Sequence, residues 1–284
     1  MNRIAIVTDT DASLPGDLAA HLNIALVPIN IQFGSHSLDA CFDIDDAALF
    51  ARVDREGRIP TTAAPTPGKF AECFRSAFEA GAESVICFCV SSKVSASYQS
   101  AQTAASLLSD HDITIIDSNS LSMGQGFMVL AAAEASAAGA TRDQVIAAAL
   151  QVQKHIHLYA GLKTLRYLAM SGRVGYLTAG MANLLDVKPI LTIRDGKLDM
   201  LERVRTQKKA WARMIELCRM AATGKPVERM ALLHVTALEE ARQFQHELCT
   251  CISCPSEPVI AELTPGLSVH AGAGVVGVVL VTGE

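Results

Sequence analysis

The chain has 284 residues, half of them hydrophobic but only 5% aromatic, with a formal net charge of −5 at pH 7. This length supports a large core in two lobes, and the negative charge without clustered Lys or Arg argues against nucleic-acid binding. Because no run of about 18 apolar residues occurs, we expect no integral membrane segment.

The first 155 residues are predicted to alternate between strands and helices. The predicted strands are residues 4–8, 26–33, 84–90 and 113–116, and the predicted helices are residues 14–21, 44–53, 69–80, 128–138 and 142–153. Ser13 is expected to cap the first helix, and residues 59–68 to form a loop. Such alternation is typical of an α/β fold with a mainly parallel sheet.

The pattern changes beyond residue 155. Strands are predicted at 155–159, 189–193, 197–203, 230–235 and 275–281, and helices at 208–222 and 239–249. Asp195-Gly196 predicts a tight turn. We therefore predict an N-terminal α/β domain over residues 1–155, which carries Thr/Ser ligand loops, and a C-terminal α/β domain over residues 156–284.

Three loops rich in small polar side chains cover residues 60–68, 91–97 and 117–126. In a parallel sheet such loops gather at the carboxyl ends of the strands, where ligands bind. Hydroxyls and free N–H groups at helix starts suit a carboxylate or a phosphate. The same residues are also the usual ones in helix caps and turns. The loops alone therefore do not decide between an anion-binding site and ordinary caps and turns.

Motifs in matching order along the whole chain resemble the DegV family of bacterial fatty-acid-binding proteins. They cover residues 7–14, 62–70, 91–101, 116–126, 165–174, 183–191 and 270–274. Ordered matches over nearly all of the chain are more specific than any one loop.

The resemblance implies a two-domain DegV-like fold that encloses one long-chain fatty acid, such as palmitate, stearate or oleate, between the domains, with no other cofactor. The acyl chain would lie in an apolar tunnel. Thr62 and Ser95 correspond to hydroxyls that bind the carboxylate, and His270 to a histidine beside the head group. Arg173 corresponds to a residue for head-group contact or kinase docking.

The resemblance also implies a carrier without catalytic residues of its own. The protein would present its acid to a fatty acid kinase, which makes the acyl phosphate for phospholipid synthesis. The loop Thr62-Ala63-Ala64-Pro65 departs from the family's usual Thr-Ser-Gln-Pro. The two missing polar groups bear on chain-length selectivity and kinase pairing more than on the carboxylate site.

Three further residues are expected to line the site. Ser92 and Ser97 belong to the serine-rich loop, and Ser92 beside Lys93 also resembles a nucleophile pair, although no partner base is evident. Gly272 opens a G-x-G-x-x-G pattern, which fits a dinucleotide loop poorly because a strand is predicted after it. Its glycines are instead expected to let the backbone approach a ligand closely.

Asp9 and Asp11 follow the first strand and support an alternative function. The spacing Asp-x-Asp-x-Ser resembles the start of Mg²⁺-dependent haloacid-dehalogenase-type phosphatases, with Asp9 as nucleophile and Asp11 as general acid. No later acidic pair that could hold the metal is evident. The competing interpretation is turn and cap chemistry at Ser13.

Eight cysteines without a recognisable signal peptide are expected to be free thiols of a cytoplasmic protein. His246, Cys249, Cys251 and Cys254 could be zinc ligands, but the spacing is unusual for a structural site. Free thiols at a helix end are the preferred interpretation, and no metal is expected.

Overall fold

The computed structural model describes residues 3–172 and 187–284. The strands are β1 (Ile4–Asp9), β2 (Ala25–Val27), β3 (Asn30–Phe33), β4 (His36–Asp39), β5 (Thr61–Ala63), β6 (Ser84–Cys89), β7 (Asp112–Asp117), β8 (Ile156–Gly161), β9 (Lys188–Arg194), β10 (Lys197–Val204), β11 (Val227–His234), β12 (Val259–Glu262) and β13 (Val276–Thr282). The helices are α1 (Gly16–His21), α2 (Asp46–Glu56), α3 (Pro67–Glu79), α4 (Ser97–Ser106), α5 (Met123–Ala137), α6 (Arg142–Lys154), α7 (Arg166–Met170), α8 (Gln207–Ala221), α9 (Leu238–Cys249) and α10 (Pro265–Ala271).

The first sheet is parallel, in the order β2-β1-β6-β7. Every residue of β6 is buried, as expected for a parallel strand covered on both faces. One face packs on Phe70 and Phe74 of α3, and the other on Phe127 of α5. The predicted α/β class and parallel N-terminal sheet are confirmed.

The second sheet has six strands in the order β10-β9-β8-β13-β11-β12. Its pairings are antiparallel except for β11 with β12. One face packs against α8 and α9 through Trp211 and Phe244, and the other shares a core with α5. Because α5 contacts strands of both sheets, its residues from Met123 to Ala133 are all buried.

A third sheet of three antiparallel strands, β4-β3-β5, corrects two predictions. The predicted strand 26–33 is divided into β2 and β3, which belong to different sheets. Pro28 stands at the division, where it lacks an N–H and has a fixed φ. The predicted loop 59–68 contains β5, whose Thr62 pairs with Ile31 of β3.

Ser13 does not cap α1, contrary to the prediction. It ends a short 3-10 turn (Thr10–Ala12) with φ of 50°, and its N–H donates to the Thr10 carbonyl. Left-handed backbone of this kind ends a turn, whereas the residue that caps the N-terminus of a helix is extended. Helix α1 begins after Pro15 without a side-chain cap. Helix α5 begins at Met123, five residues before its predicted start.

The expectation that all cysteines are free thiols is wrong. Cys249 and Cys254 form a disulfide, with Cα atoms 5.5 Å apart, where the chain turns back after α9. Because both sulfurs are bonded, they are not available as zinc ligands. Within residues 3–172 and 187–284, no group of three or more His, Cys, Asp or Glu side chains is arranged to hold a metal ion.

Thiol titration of the denatured, non-reduced protein is expected to find six thiols rather than all eight. Cys254→Ser should lower the free energy of unfolding by about 2 kcal/mol, since the bridge closes only a short loop. Urea denaturation without reductant measures the loss. Eight reactive thiols in the wild-type protein would contradict the pairing.

None of the helices in the described ranges combines the length and the hydrophobicity that a membrane crossing requires.

Candidate ligand-binding site

An apolar cavity of about 350 Å³ is lined by residues from both sides of position 155. Its volume falls within the range of about 300–1,000 Å³ that is usual for small-molecule sites. Much of its wall is leucine: Leu121, Leu158, Leu162, Leu168, Leu191, Leu198, Leu233, Leu263 and Leu267. The size and chemistry of this wall suit a hydrocarbon chain better than a polar metabolite.

A polar pair lies in the wall of this cavity. The Thr62 Oγ1 atom is 3.0 Å from Nε2 of His270, and both residues line the cavity. Thr62 is held on β5 by its pairing with β3, and His270 lies in the last turn of α10. Two elements distant in sequence thus place a hydroxyl and an imidazole where they can bind a carboxylate.

Ser95 lines the same cavity from the loop that follows β6. Its Oγ lies 2.9 Å from Oγ of Ser97 and accepts a hydrogen bond from the Ser97 N–H. The loop is fixed where Ser91 donates through Oγ to the Gly196 carbonyl at 2.7 Å. This loop therefore presents a hydroxyl to the cavity on a fixed backbone.

The other predicted site residues lie elsewhere. Ser92 is exposed, and its N–H donates to a carboxylate oxygen of Asp117. Ser97 is fully buried at the start of α4, where it contacts Ser95. Neither residue lines the cavity.

Gly272 also lies outside the cavity lining. Its φ is +82°, and a Cβ atom there would come within 2.4 Å of the Tyr167 ring. The absence of a side chain therefore permits close packing against Tyr167, not against a ligand. Arg173 lies outside the described residues.

Asp9 occupies a closed environment. Its carboxylate is 0% exposed and accepts hydrogen bonds from the Val90 N–H at 2.8 Å and from the Gln125 amide at 3.0 Å. Burial raises the pKa of Asp9 to about 6, although these hydrogen bonds lower it. Asp11 lines the cavity. A nucleophile must reach its substrate, so this geometry gives the phosphatase hypothesis no support.

A buried hydrogen bond anchors α10. Ser268 donates through Oγ to Oδ1 of Asp46 at 2.5 Å, and the two residues are 0% and 2% exposed. Burial raises the pKa of Asp46 to about 7, against the lowering effect of the Ser268 hydrogen bond. Asp46 therefore links α2 to the helix that carries His270.

The raised pKa of Asp46 predicts a pH dependence of stability. Between pH of about 4 and about 7, the folded protein keeps a proton on Asp46 that the unfolded chain releases, so this contribution is lost as the pH rises. The unfolding free energy of the wild type minus that of Asp46→Asn should fall across this interval and stay level above it. Urea titrations at several pH values measure the difference, and a constant value contradicts the prediction.

The leucines of the cavity wall were not identified as site residues from the sequence. The only signal is a row of alternate residues on β8 and just beyond it, Leu158, Ala160 and Leu162, which point to one face. An alternating row is equally typical of a filled core. The pattern therefore marks a buried face without showing that the face encloses a cavity.

Comparisons with known proteins identify the family of this chain. The model of the DegV family, described as uncharacterised proteins, matches residues 3–283. A DegV domain-containing protein of Streptomyces coelicolor is 32% identical over 277 residues, covering 98% of each chain. One of Mycobacterium bovis is 33% identical over 278 residues, covering 97% of this chain and 96% of its own.

Two solved structures share the fold. A DegV family protein from Thermus thermophilus, described as binding fatty acid, superposes with a TM-score of 0.91 at 30% identity, covering 99% of each chain. DegV from Bacillus subtilis, described as a fatty acid binding protein, has a TM-score of 0.89 at 27% identity, covering 100% of each chain. The chain belongs to the DegV family.

Proposed function

We propose that this protein binds a single long-chain fatty acid such as palmitate, stearate or oleate. The acyl chain occupies the leucine-lined cavity, and Thr62, His270 and Ser95 hold the carboxylate. The observation that carries the proposal is an apolar cavity whose wall contains a hydroxyl paired with an imidazole. Two relatives described as fatty-acid binders support it.

The energetics of such a complex are favourable. Each buried methylene contributes about 0.8 kcal/mol, so the acyl chain supplies most of the affinity. A buried carboxylate is costly unless it is hydrogen-bonded or paired. Thr62 and Ser95 can donate hydroxyl protons, and a protonated His270 adds an opposite charge.

The carrier role is the second part of the proposal. The protein acts without catalytic residues in the cytoplasm and presents the bound acid to a fatty acid kinase, which forms the acyl phosphate for phospholipid synthesis. The closed environment of Asp9 removes support from the phosphatase alternative, because a nucleophile must reach its substrate. In this proposal the ligand lies between an N-terminal domain (1–155) and a C-terminal domain (156–284), in agreement with a cavity lined from both sides of position 155.

Mass spectrometry tests the binding role. A fatty acid should be retained under native conditions and released on denaturation, and the delipidated protein should bind palmitate. No binding at micromolar palmitate overturns the proposal. Addition of a fatty acid kinase subunit and ATP tests the carrier role separately, because acyl phosphate should then form only when both proteins are present.

A further inference from the structure

A second cavity, of about 400 Å³, adjoins the first at one residue, Leu158, which lines both. Leu158 is only 4% exposed. In contrast to the first cavity, the second is lined largely by polar side chains: Lys93, Ser118, Asn119, Ser120, Gln153 and Asp195. Oγ of Ser120 is buried without a hydrogen-bond partner among the described residues.

The two cavities follow one another along the same face of the second sheet. On β8, Ala160 lines the first cavity, Leu158 lines both and Ile156 lines the second. Alternate residues of a strand point to one face, so these three side chains form a single row. On β9, Leu191 lines the first cavity and Ile193 the second, which repeats the order.

The pairing of β13 with β8 places His270, one of the proposed carboxylate ligands, away from Leu158. Val276, at the start of β13, pairs with Gly161, and Val281, near its end, pairs with Ile156. Helix α10 ends only a few residues before β13 and carries His270. His270 is therefore at the Gly161 end of β8, and Leu158 lies toward the other end.

We propose that Leu158 is the wall that ends the acyl cavity and limits the length of the chain it accepts, with the second cavity as a polar extension that opens when this side chain is shortened. The proposal rests on the fatty-acid-binding function. A longer acid should enter the extension. A hydroxyl on the ω carbon of that acid should then form hydrogen bonds with the polar side chains of the second cavity.

The test compares Leu158→Ala with Leu162→Ala in delipidated protein. Both leucines line the first cavity and are similarly buried, at 4% and 3% exposure, but only Leu158 lines the second. Affinities are measured for myristate, palmitate, stearate, arachidate and behenate, and for their ω-hydroxy derivatives. Leu158→Ala should shift the preferred acid by about two carbons and improve binding of the longer acids about tenfold.

The ω-hydroxy derivatives distinguish an opening into the polar second cavity from a mere widening of the first cavity. A hydroxyl buried without a partner costs affinity, so the wild type and Leu162→Ala should discriminate against them. Leu158→Ala should lose most of this discrimination for the longer acids. Equal behaviour of the two variants, or no shift in Leu158→Ala, overturns the assignment of Leu158.

Two further results separate the possible failures. If the wild type binds none of the acids, the proposed function fails; if it binds palmitate but Leu158→Ala keeps the wild-type length profile, only the inference fails. Should Leu158→Ala not fold, Leu158→Val, which removes one carbon, must shift the length profile in the same direction by a smaller amount.

Discussion

Replacement of Thr62 by valine is expected to weaken palmitate binding by about 5- to 150-fold. Valine keeps the shape of the side chain but removes the hydroxyl that lies 3.0 Å from Nε2 of His270. A buried carboxylate that loses one donor loses about 1–3 kcal/mol. Calorimetric titration of the delipidated protein with palmitate measures the change.

Thr61→Val is the matched control for this prediction. Thr61 is the neighbouring residue on β5, but it is exposed and does not line the cavity. Methyl palmitate provides a second control, because an ester lacks the charge that the hydroxyl would stabilise. Equal losses for Thr61→Val and Thr62→Val, or an equal loss for the ester, would place the carboxylate elsewhere.

Local patterns in the sequence were sufficient to predict the parallel sheet and most of the helices. Strand β6 is an uninterrupted apolar run after Ser84, and its burial on both faces follows from that composition. The pattern failed where a single residue or a distant partner decides the structure. Pro28 divides one apolar run between two sheets, and β5 exists because Thr62 pairs with a strand about thirty residues earlier.

The site was predictable only in part, for a similar reason. Thr62 and His270 are separated by 208 positions, and no periodicity relates them; only the family resemblance connects the two residues. Gly272 was expected to approach a ligand because glycine permits close backbone contact, but its surroundings show packing against Tyr167 instead. The cavity leucines escaped prediction because a leucine that faces a cavity and one that fills a core have the same sequence pattern.

Leu130→Ala is expected to lower the free energy of unfolding by about 2–5 kcal/mol. Leu130 lies on α5, is 4% exposed, and belongs to the core that α5 shares with both sheets. Leu107→Ala, the same change at a residue that is 65% exposed, should cost less than about 0.5 kcal/mol. Urea denaturation followed by circular dichroism measures both variants.

The fluorescence of Trp211 shows whether the stability lost in Leu130→Ala is also lost beyond the proposed domain boundary at residue 155. Trp211 is the single tryptophan, and it packs against Phe244 on the far face of the second sheet. If α5 joins the two sheets in one cooperative core, Leu130→Ala must shift the Trp211 transition as much as the circular dichroism transition. An unshifted Trp211 transition means that residues 156–284 unfold independently, so that a ligand between the two halves would have to hold them together.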